Sequence, residues 1–305
     1  MTQLYITPRA VEMAMKKRLG AFAKQHGLNS SLVFRSFYFS RLVTRVFRHD
    51  PDGWLLKGGQ ALLLRYPAQA RLSRDIDLQR STAQSVQEAL SALLDAAALD
   101  LGDFFTFSPT SMVEHSDEIG GAKQTFTVAL GTRLLDTIKV DLVTGRYPTE
   151  TPEKVSLASS SLMSWPDDWP LVHLYPLADH VADKICAMYE RHQGAASTRF
   201  RDLADLLLIS QKESLSGAAV RIALSSEVRR RTGLGTDLTL PDRFVFPDPS
   251  WGRGYPTAAA EVVGLRGCLS LADAQVAAEA FITPILTGTF LGRWNPHTSA
   301  WSNAG

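Results

Sequence analysis

The sequence predicts an α/β or α+β first half over residues 1–150, in which strands and helices alternate, then a mainly helical region over residues 151–305. Three observations predict it. Helical and strand-like hydrophobic periods alternate through the first half. Prolines gather between Pro148 and Pro176 and mark an irregular connector there. Beyond that connector the apolar pattern turns helical.

The first element starts at Thr7-Pro8 and reads as a helix to about Gln25, with Pro8 in the first turn, where its missing N–H costs nothing. Gly27 ends it. Asn29 or Ser30 caps a second amphipathic helix whose Leu32, Phe34, Phe37, Leu42, Val43 and Phe47 fall mostly on one side. Trp54 to Leu56 is a short apolar strand that runs into Lys57-Gly58-Gly59, and Gln60 to Arg65 opens a helix. Arg74 to Leu78 alternates like a strand, with Asp75 and Asp77 on one face and Ile76 and Leu78 on the other. Ser85 to Leu99 is an Ala- and Leu-rich helix, and Gln124 to Leu130 and Thr137 to Val143 alternate like strands. Past the connector, helices are predicted over Leu177–Arg191, Arg199–Gln211 and Leu271–Ile282. Between them, Thr236 to Tyr255 reads as a long loop. The tail from Trp294 is polar and aromatic and is expected to pack back on the body.

Composition narrows the function classes. A formal charge of +1 over 305 residues does not mark a nucleic-acid binder, so any such binding rests on a local basic patch. Cys186 and Cys268 sit in no Cys-x-x-Cys pattern, which argues against a disulfide scaffold and a zinc site. No segment resembles a signal peptide or reaches the roughly 20 apolar residues of a membrane helix. The expectation is a soluble cytoplasmic protein with no membrane partner.

The chemistry lies in three carboxylates behind a glycine pair. Side chains two apart on a strand share a face, and two ionised carboxylates a few ångströms apart repel unless a cation sits between them. Mg²⁺ suits the gap, since it takes oxygen ligands from one or two carboxylates plus substrate phosphates. Asp141, in Lys139-Val140-Asp141-Leu142, is a third acid on a second alternating strand. If the two strands are neighbours, Asp75, Asp77 and Asp141 converge as in two-metal phosphoryl transfer, with two Mg²⁺ ions or Mn²⁺ in their place. Gly58-Gly59, at a strand-to-helix turn, allows close approach of a phosphate to free N–H groups. Alone, Asp-x-Asp is more often a solvated strand edge, Gly-Gly a turn, and Lys139 with Asp141 an exposed pair. Their joint order carries the reading.

Lys57-Gly58-Gly59-Gln60-Ala61-Leu62 followed by Arg71-Leu72-Ser73-Arg74-Asp75-Ile76-Asp77-Leu78 resembles the AbiEii/MenT-like nucleotidyltransferase toxins of the DNA polymerase beta-like superfamily. Asp183-Lys184-Ile185-Cys186-Ala187, Arg191 and Arg201-Asp202-Leu203-Ala204-Asp205-Leu206 agree with the family's helical lysine and arginine–aspartate motifs. Trp294 and Trp301 look like family tails. The resemblance implies a polymerase beta-like mixed sheet. It implies metal binding by Asp75, Asp77 and Asp141, phosphate contact by or modification of Ser73, triphosphate binding by Lys184, and orientation of that lysine or the nucleotide by Asp202. It implies NTP as substrate, the 3′ end of tRNA as acceptor and a cognate antitoxin as partner. Gln60 departs from the Thr or Ser of many relatives, and its longer amide reaches a phosphate differently.

Beside the resemblance, Lys184 and Arg191 are seven apart on one predicted helix and so share a face that suits a triphosphate. Asp202 and Asp205 share a face of the next helix and can pair with Arg199 or Arg201. Arg199, Arg201, Arg229, Arg230 and Arg231 are candidate contacts to an RNA backbone. His173, His180 and His192 form no metal-ligand spacing. Two other readings keep the same residues: nucleotidylation of a protein hydroxyl, including Ser73 itself, and a catalytically weak module that docks a partner protein.

Overall fold

The structure is a computed structural model that describes residues 5–81, 85–114, 120–160, 169–289 and 292–302. The chain forms two compact units. The first holds Met1–Pro67, Leu72–Tyr147 and Pro152–Leu174; the second holds Ala68–Arg71, Pro148–Thr151 and Tyr175–Gly305.

The first unit opens with α1 (Pro8–His26) and α2 (Ser30–His49). The Thr7 hydroxyl accepts the Ala10 N–H at 3.2 Å, and Asn29 Oδ1, one of the two caps expected for the second helix, accepts from Ser31 and Leu32, so both helix starts are satisfied. Next come β1 (Trp54–Lys57), α3 (Gly58–Arg65), β2 (Ile76–Arg80) and α4 (Val86–Ala97). Then β3 (Phe105–Glu114), β4 (Gly121–Leu130), β5 (Arg133–Val143), β6 (Glu153–Ser156) and β7 (Leu171–Leu174) complete one mixed sheet of order β3-β4-β5-β2-β1-β7-β6. Ser85 and Glu88 close a capping box on α4.

One face of this sheet is the core. Leu56, Ile76, Leu78, Phe126, Val128, Val140, Leu142, Val172 and Leu174 pack against buried residues of α1, α2 and α4. Alternate positions lie on the other face. That division keeps the charged side chains of these strands away from the apolar core.

Two expectations needed correction in this unit, and one strand was not anticipated. The strand expected from Arg74 begins at Ile76, which leaves Asp75 in the preceding turn. The edge strand β3 gave no usable signal, because its pattern is mostly exposed and Pro109 interrupts it at a bulge. The proline-rich connector contains β6 and β7, and β7 pairs in parallel with β1 through Leu56 and Leu174. Residues 161–168 of that connector, with Pro166, lie outside the described residues.

A charged cluster is buried within the same unit. Arg41 and Arg45, one turn apart on α2, both grip Asp103, at 2.7 Å each, and all three are at most 1% exposed. The rings of Trp169 and Phe107 lie about the guanidinium faces, 5.0 and 4.9 Å from the carbons of Arg41 and Arg45.

The second unit holds α5 (Leu177–Tyr189), β8 (Glu190–Arg191), α6 (Phe200–Lys212), α7 (Gly217–Gly233), β9 (Asp237–Leu238), α8 (Trp251–Ala260), α9 (Leu271–Thr287), β10 (Trp294–Asn295) and β11 (Ala300–Trp301). α8 lies at the end of the predicted loop; Gly252, Gly254 and Pro256 disguised it. α9 runs past Pro284 to Thr287. The tail does pack back within this unit: Phe281 stacks on Trp301 at 5.9 Å and meets Trp294 edge-on at 4.9 Å. No helix among the described residues is long and apolar enough to cross a membrane.

Candidate active site

The register of the sheet assembles a row of charge. β2 and β5 are parallel neighbours, and Asp77 faces Asp141 directly. On the outer side of β5, Lys123 of β4 is the antiparallel partner of Asp141. On the outer side of β2, Lys57 of β1 is the antiparallel partner of Asp77. Directly paired residues share a face, and strands stand about 4.8 Å apart. Four adjacent strands therefore present Lys123, Asp141, Asp77 and Lys57 in line on the face opposite the core.

The Lys123 ammonium lies 3.2 Å from Asp141 Oδ1, with side chains 39% and 19% exposed. The cation beside Asp141 is thus Lys123 of the neighbouring strand, while Lys139, the same-strand neighbour considered from sequence, is exposed. Lys57 is buried, 5% exposed, and ends β1 as the N-cap residue of α3.

Gly58 follows with φ +59°, a left-handed backbone that glycine adopts without penalty. A Cβ there would stand 1.7 Å from Asp77 Oδ2. The Asp77 carboxylate thus occupies the space a side chain would need, over the first residue of α3. Gly58 is required twice, by dihedral and by room. Gly59 is buried in the same turn. Gln60 is 7% exposed and its amide nitrogen meets no partner among the described residues.

Asp75 sits beyond the strand. Ser73, only 1% exposed, donates its hydroxyl to the Asp75 carbonyl at 2.9 Å and approaches Oδ1 at 3.3 Å. Asp77 and Asp141 together form an oxygen donor set that fits Mg²⁺. Among the described residues no group of three or more His, Cys, Asp or Glu stands where it could hold a metal ion. Asp75 directly precedes β2 and is braced by Ser73.

The second unit carries its own charged core. Lys184 of α5 is buried and donates to Asp202 at 2.6 Å and Asp205 at 2.7 Å, both on α6. Arg71 grips Asp205 through two bonds, 3.1 and 2.9 Å long. Burial works against the Lys184 charge, but Asp202 and Asp205 outweigh it and raise its pKa. Burial likewise works against the Asp205 charge, but Lys184 and Arg71 hold its carboxyl below the ordinary range. The partners expected for these acids, Arg199 and Arg201, are elsewhere: Arg199 is exposed at the start of α6, and Arg201 forms a two-bond pair with Glu261 at 2.8 and 2.9 Å. Sequence reasoning missed Arg71 and Asp205 as members of this network, since nothing local marks a pair 134 positions apart.

Other expected site residues separate. α5 ends at Tyr189, so Arg191 does not continue the face that carries Lys184; it is exposed on β8, opposite Asp237. Of the arginine triplet only Arg229 is exposed. Arg230 pairs with Glu227 at 2.7 Å. Arg231 is 8% exposed and is held by Glu227, Asp183 and Glu190, so it is a structural residue rather than an RNA contact. His180 is buried beside Tyr175, and His173 lies 3.4 Å from Asp52.

Known proteins share this architecture. The family described as "Nucleotidyl transferase AbiEii toxin, Type IV TA system" matches residues 41–267. No curated protein matches. Among solved structures, MenT4, the nucleotidyltransferase toxin Rv2826c from Mycobacterium tuberculosis H37Rv, aligns with a TM-score of 0.50 at 15% identity, covering 89% of this chain and 94% of that one. JHP933 from Helicobacter pylori aligns with a TM-score of 0.43 at 15% identity, covering 79% and 91%. The first of these likenesses supports the mixed-sheet fold.

Proposed function

Because residues 41–267 make the chain a member of the AbiEii family of nucleotidyl transferase toxins, we propose that it moves a nucleoside monophosphate from an NTP to the 3′ end of tRNA, with Mg²⁺. The family is that of a type IV toxin–antitoxin system, so an antitoxin partner goes with it. The observation that carries the reading is the pairing of Asp77 with Asp141 at one register on adjacent parallel strands.

The chain's own residues take these roles. Asp75, Asp77 and Asp141 take the metal-binding roles, with Asp75 braced by Ser73. A bound Mg²⁺ supplies Lewis-acid polarisation of the phosphates. The acceptor oxygen attacks the α-phosphorus in line; the new O–P bond forms as the bond to pyrophosphate breaks, and Asp141 accepts the hydroxyl proton. Gly58 and Gly59 let phosphate oxygens approach the N–H groups of the first turn of α3. Lys57, Gln60 and Ser73 flank that turn. Lys184, held by Asp202 and Asp205, takes the triphosphate-binding role that the family resemblance implies. Exposed Arg191, Arg199 and Arg229, and half-exposed Arg201, are the cations left to meet an RNA backbone.

The test is incubation with each labelled NTP, Mg²⁺ and total tRNA. The wild type should label tRNA, chelation of the cation should stop it, and Asp77→Asn or Asp141→Asn should lower the rate about 100-fold or more. Silence from wild type and variants alike overturns the reading. Label on protein instead of tRNA would move the acceptor to a protein hydroxyl. Ser73 is a poor candidate for that, because its hydroxyl is buried and engaged with Asp75.

A further inference from the structure

The row on the sheet contains one residue that no motif assigned. Lys123 belongs to none of the motifs read from the sequence, yet it is the direct register partner of Asp141 and its ammonium lies 3.2 Å from Oδ1. We propose that Lys123 is the resident counter-ion of Asp141, displaced when a divalent cation arrives and then free to meet the phosphates that come with it. The inference rests on the proposed nucleotide chemistry of the Asp77–Asp141 pair.

Three features carry it. The first is charge. Along the row, Lys123, Asp141, Asp77 and Lys57 alternate two cations with two acids, each acid paired in register with a lysine. A divalent ion on the two acids leaves Lys123 facing a positive site at contact distance, and the two repel. The phosphates of an incoming nucleotide are anions able to take the ammonium in exchange.

The second feature is freedom of movement. The Lys123 side chain is 39% exposed, and its long, flexible stem can swing without opening the core. Lys57, at the other end of the row, is 5% exposed and is not expected to move. The third is cost. A pair this exposed contributes little to stability, so exchanging it for a metal–carboxylate bond is favourable. An ordinary surface pair would share the cost and the freedom, but it would have no effect on a cation.

The experiment measures Mn²⁺ binding by calorimetry and by the loss of the free-ion resonance signal, with no nucleotide or acceptor present. Lys123→Met and Lys123→Gln should each bind Mn²⁺ about five-fold tighter than wild type, the factor expected for removing one charge at contact distance in a solvated site. Lys123→Arg should match the wild type. Asp141→Asn should abolish the difference between Lys123→Met and its parent. In transfer assays Lys123→Met should raise the KM for NTP more than it lowers kcat. Melting temperatures of these variants should stay near the wild type. Unchanged or weaker Mn²⁺ binding by both Lys123→Met and Lys123→Gln overturns the proposal, as does a Lys123→Met effect that survives in Asp141→Asn. Because Mn²⁺ binding needs no turnover, a wild type that transfers no nucleotide would defeat the functional reading alone, while active enzymes with equal Mn²⁺ affinity would defeat only the role of Lys123.

Discussion

Gly58 and Asp77 are best understood as one object. The glycine takes a positive φ and leaves the space in which the carboxylate sits 1.7 Å from a would-be Cβ. Gly58→Ala should therefore do more than strain one residue. The left-handed backbone costs about 1–2 kcal/mol for a residue with a Cβ, and the methyl group must also expel Asp77 from its place. The expected outcome is a modest fall in melting temperature with a far larger fall in nucleotide transfer, read by calorimetry and by the labelling assay. A variant that melts early but transfers normally would show that the position of Asp77 does not matter. The sequence made Gly58 and Asp77 candidates separately. It could not show that they touch, because that contact depends on the antiparallel pairing of β1 with β2.

Helices in this chain are fixed by charged residues as much as by apolar ones. α2 buries Arg41 and Arg45 on Asp103, and α7 buries Arg231 among Glu227, Asp183 and Glu190. Removing one partner of a buried ion pair strands the other charge, at about 3–5 kcal/mol. Arg231→Ala and Asp103→Ala should each destabilise by about that much, whereas Arg229→Ala, on the exposed face of the same helix as Arg231, should change stability by less than about 0.5 kcal/mol. Denaturant titration of the three variants checks this. Arg229→Ala should instead weaken binding to RNA and lower its salt dependence. Reading Arg229, Arg230 and Arg231 as one basic run was reasonable from sequence, since which of three consecutive helical residues faces inward is known only once the buried side of that helix is known.

Acid should disassemble both units of the molecule. Burial opposes ionisation of Asp103, but Arg45 and Arg41 outweigh it and hold its carboxyl below the ordinary range. Asp205 is held low in the same way by Lys184 and Arg71. A carboxyl whose folded pKa is depressed contributes stability that is present above its unfolded value, about 3.9, and is lost as pH falls through the folded value. Lys184 is shifted up, so its contribution is complete at neutral pH and is lost only above the ordinary lysine range. The melting temperature should thus be level near neutrality and fall below about pH 4. Asp103→Asn and Asp205→Asn should lower it at pH 7 and flatten the acid limb; a pH profile parallel to the wild type would argue against this origin. Much of this chain was legible in its sequence. Local pattern alone determined the alternation of strands and helices in the first half, the helices that begin near Thr7, Asn29 and Ser85, and the acids and glycines of the site, because periodicity and short motifs are properties of neighbours along the chain. Only the tertiary structure decided that Asp77 and Asp141 share a register while Asp75 precedes the strand, that Lys123 and Lys57 flank them, that β3 forms the sheet's edge, and that Arg71 and Lys184 meet on Asp205. Each of those depends on which distant strands or helices pair, and pairing is set by how the whole apolar surface is buried, which no local stretch of sequence contains.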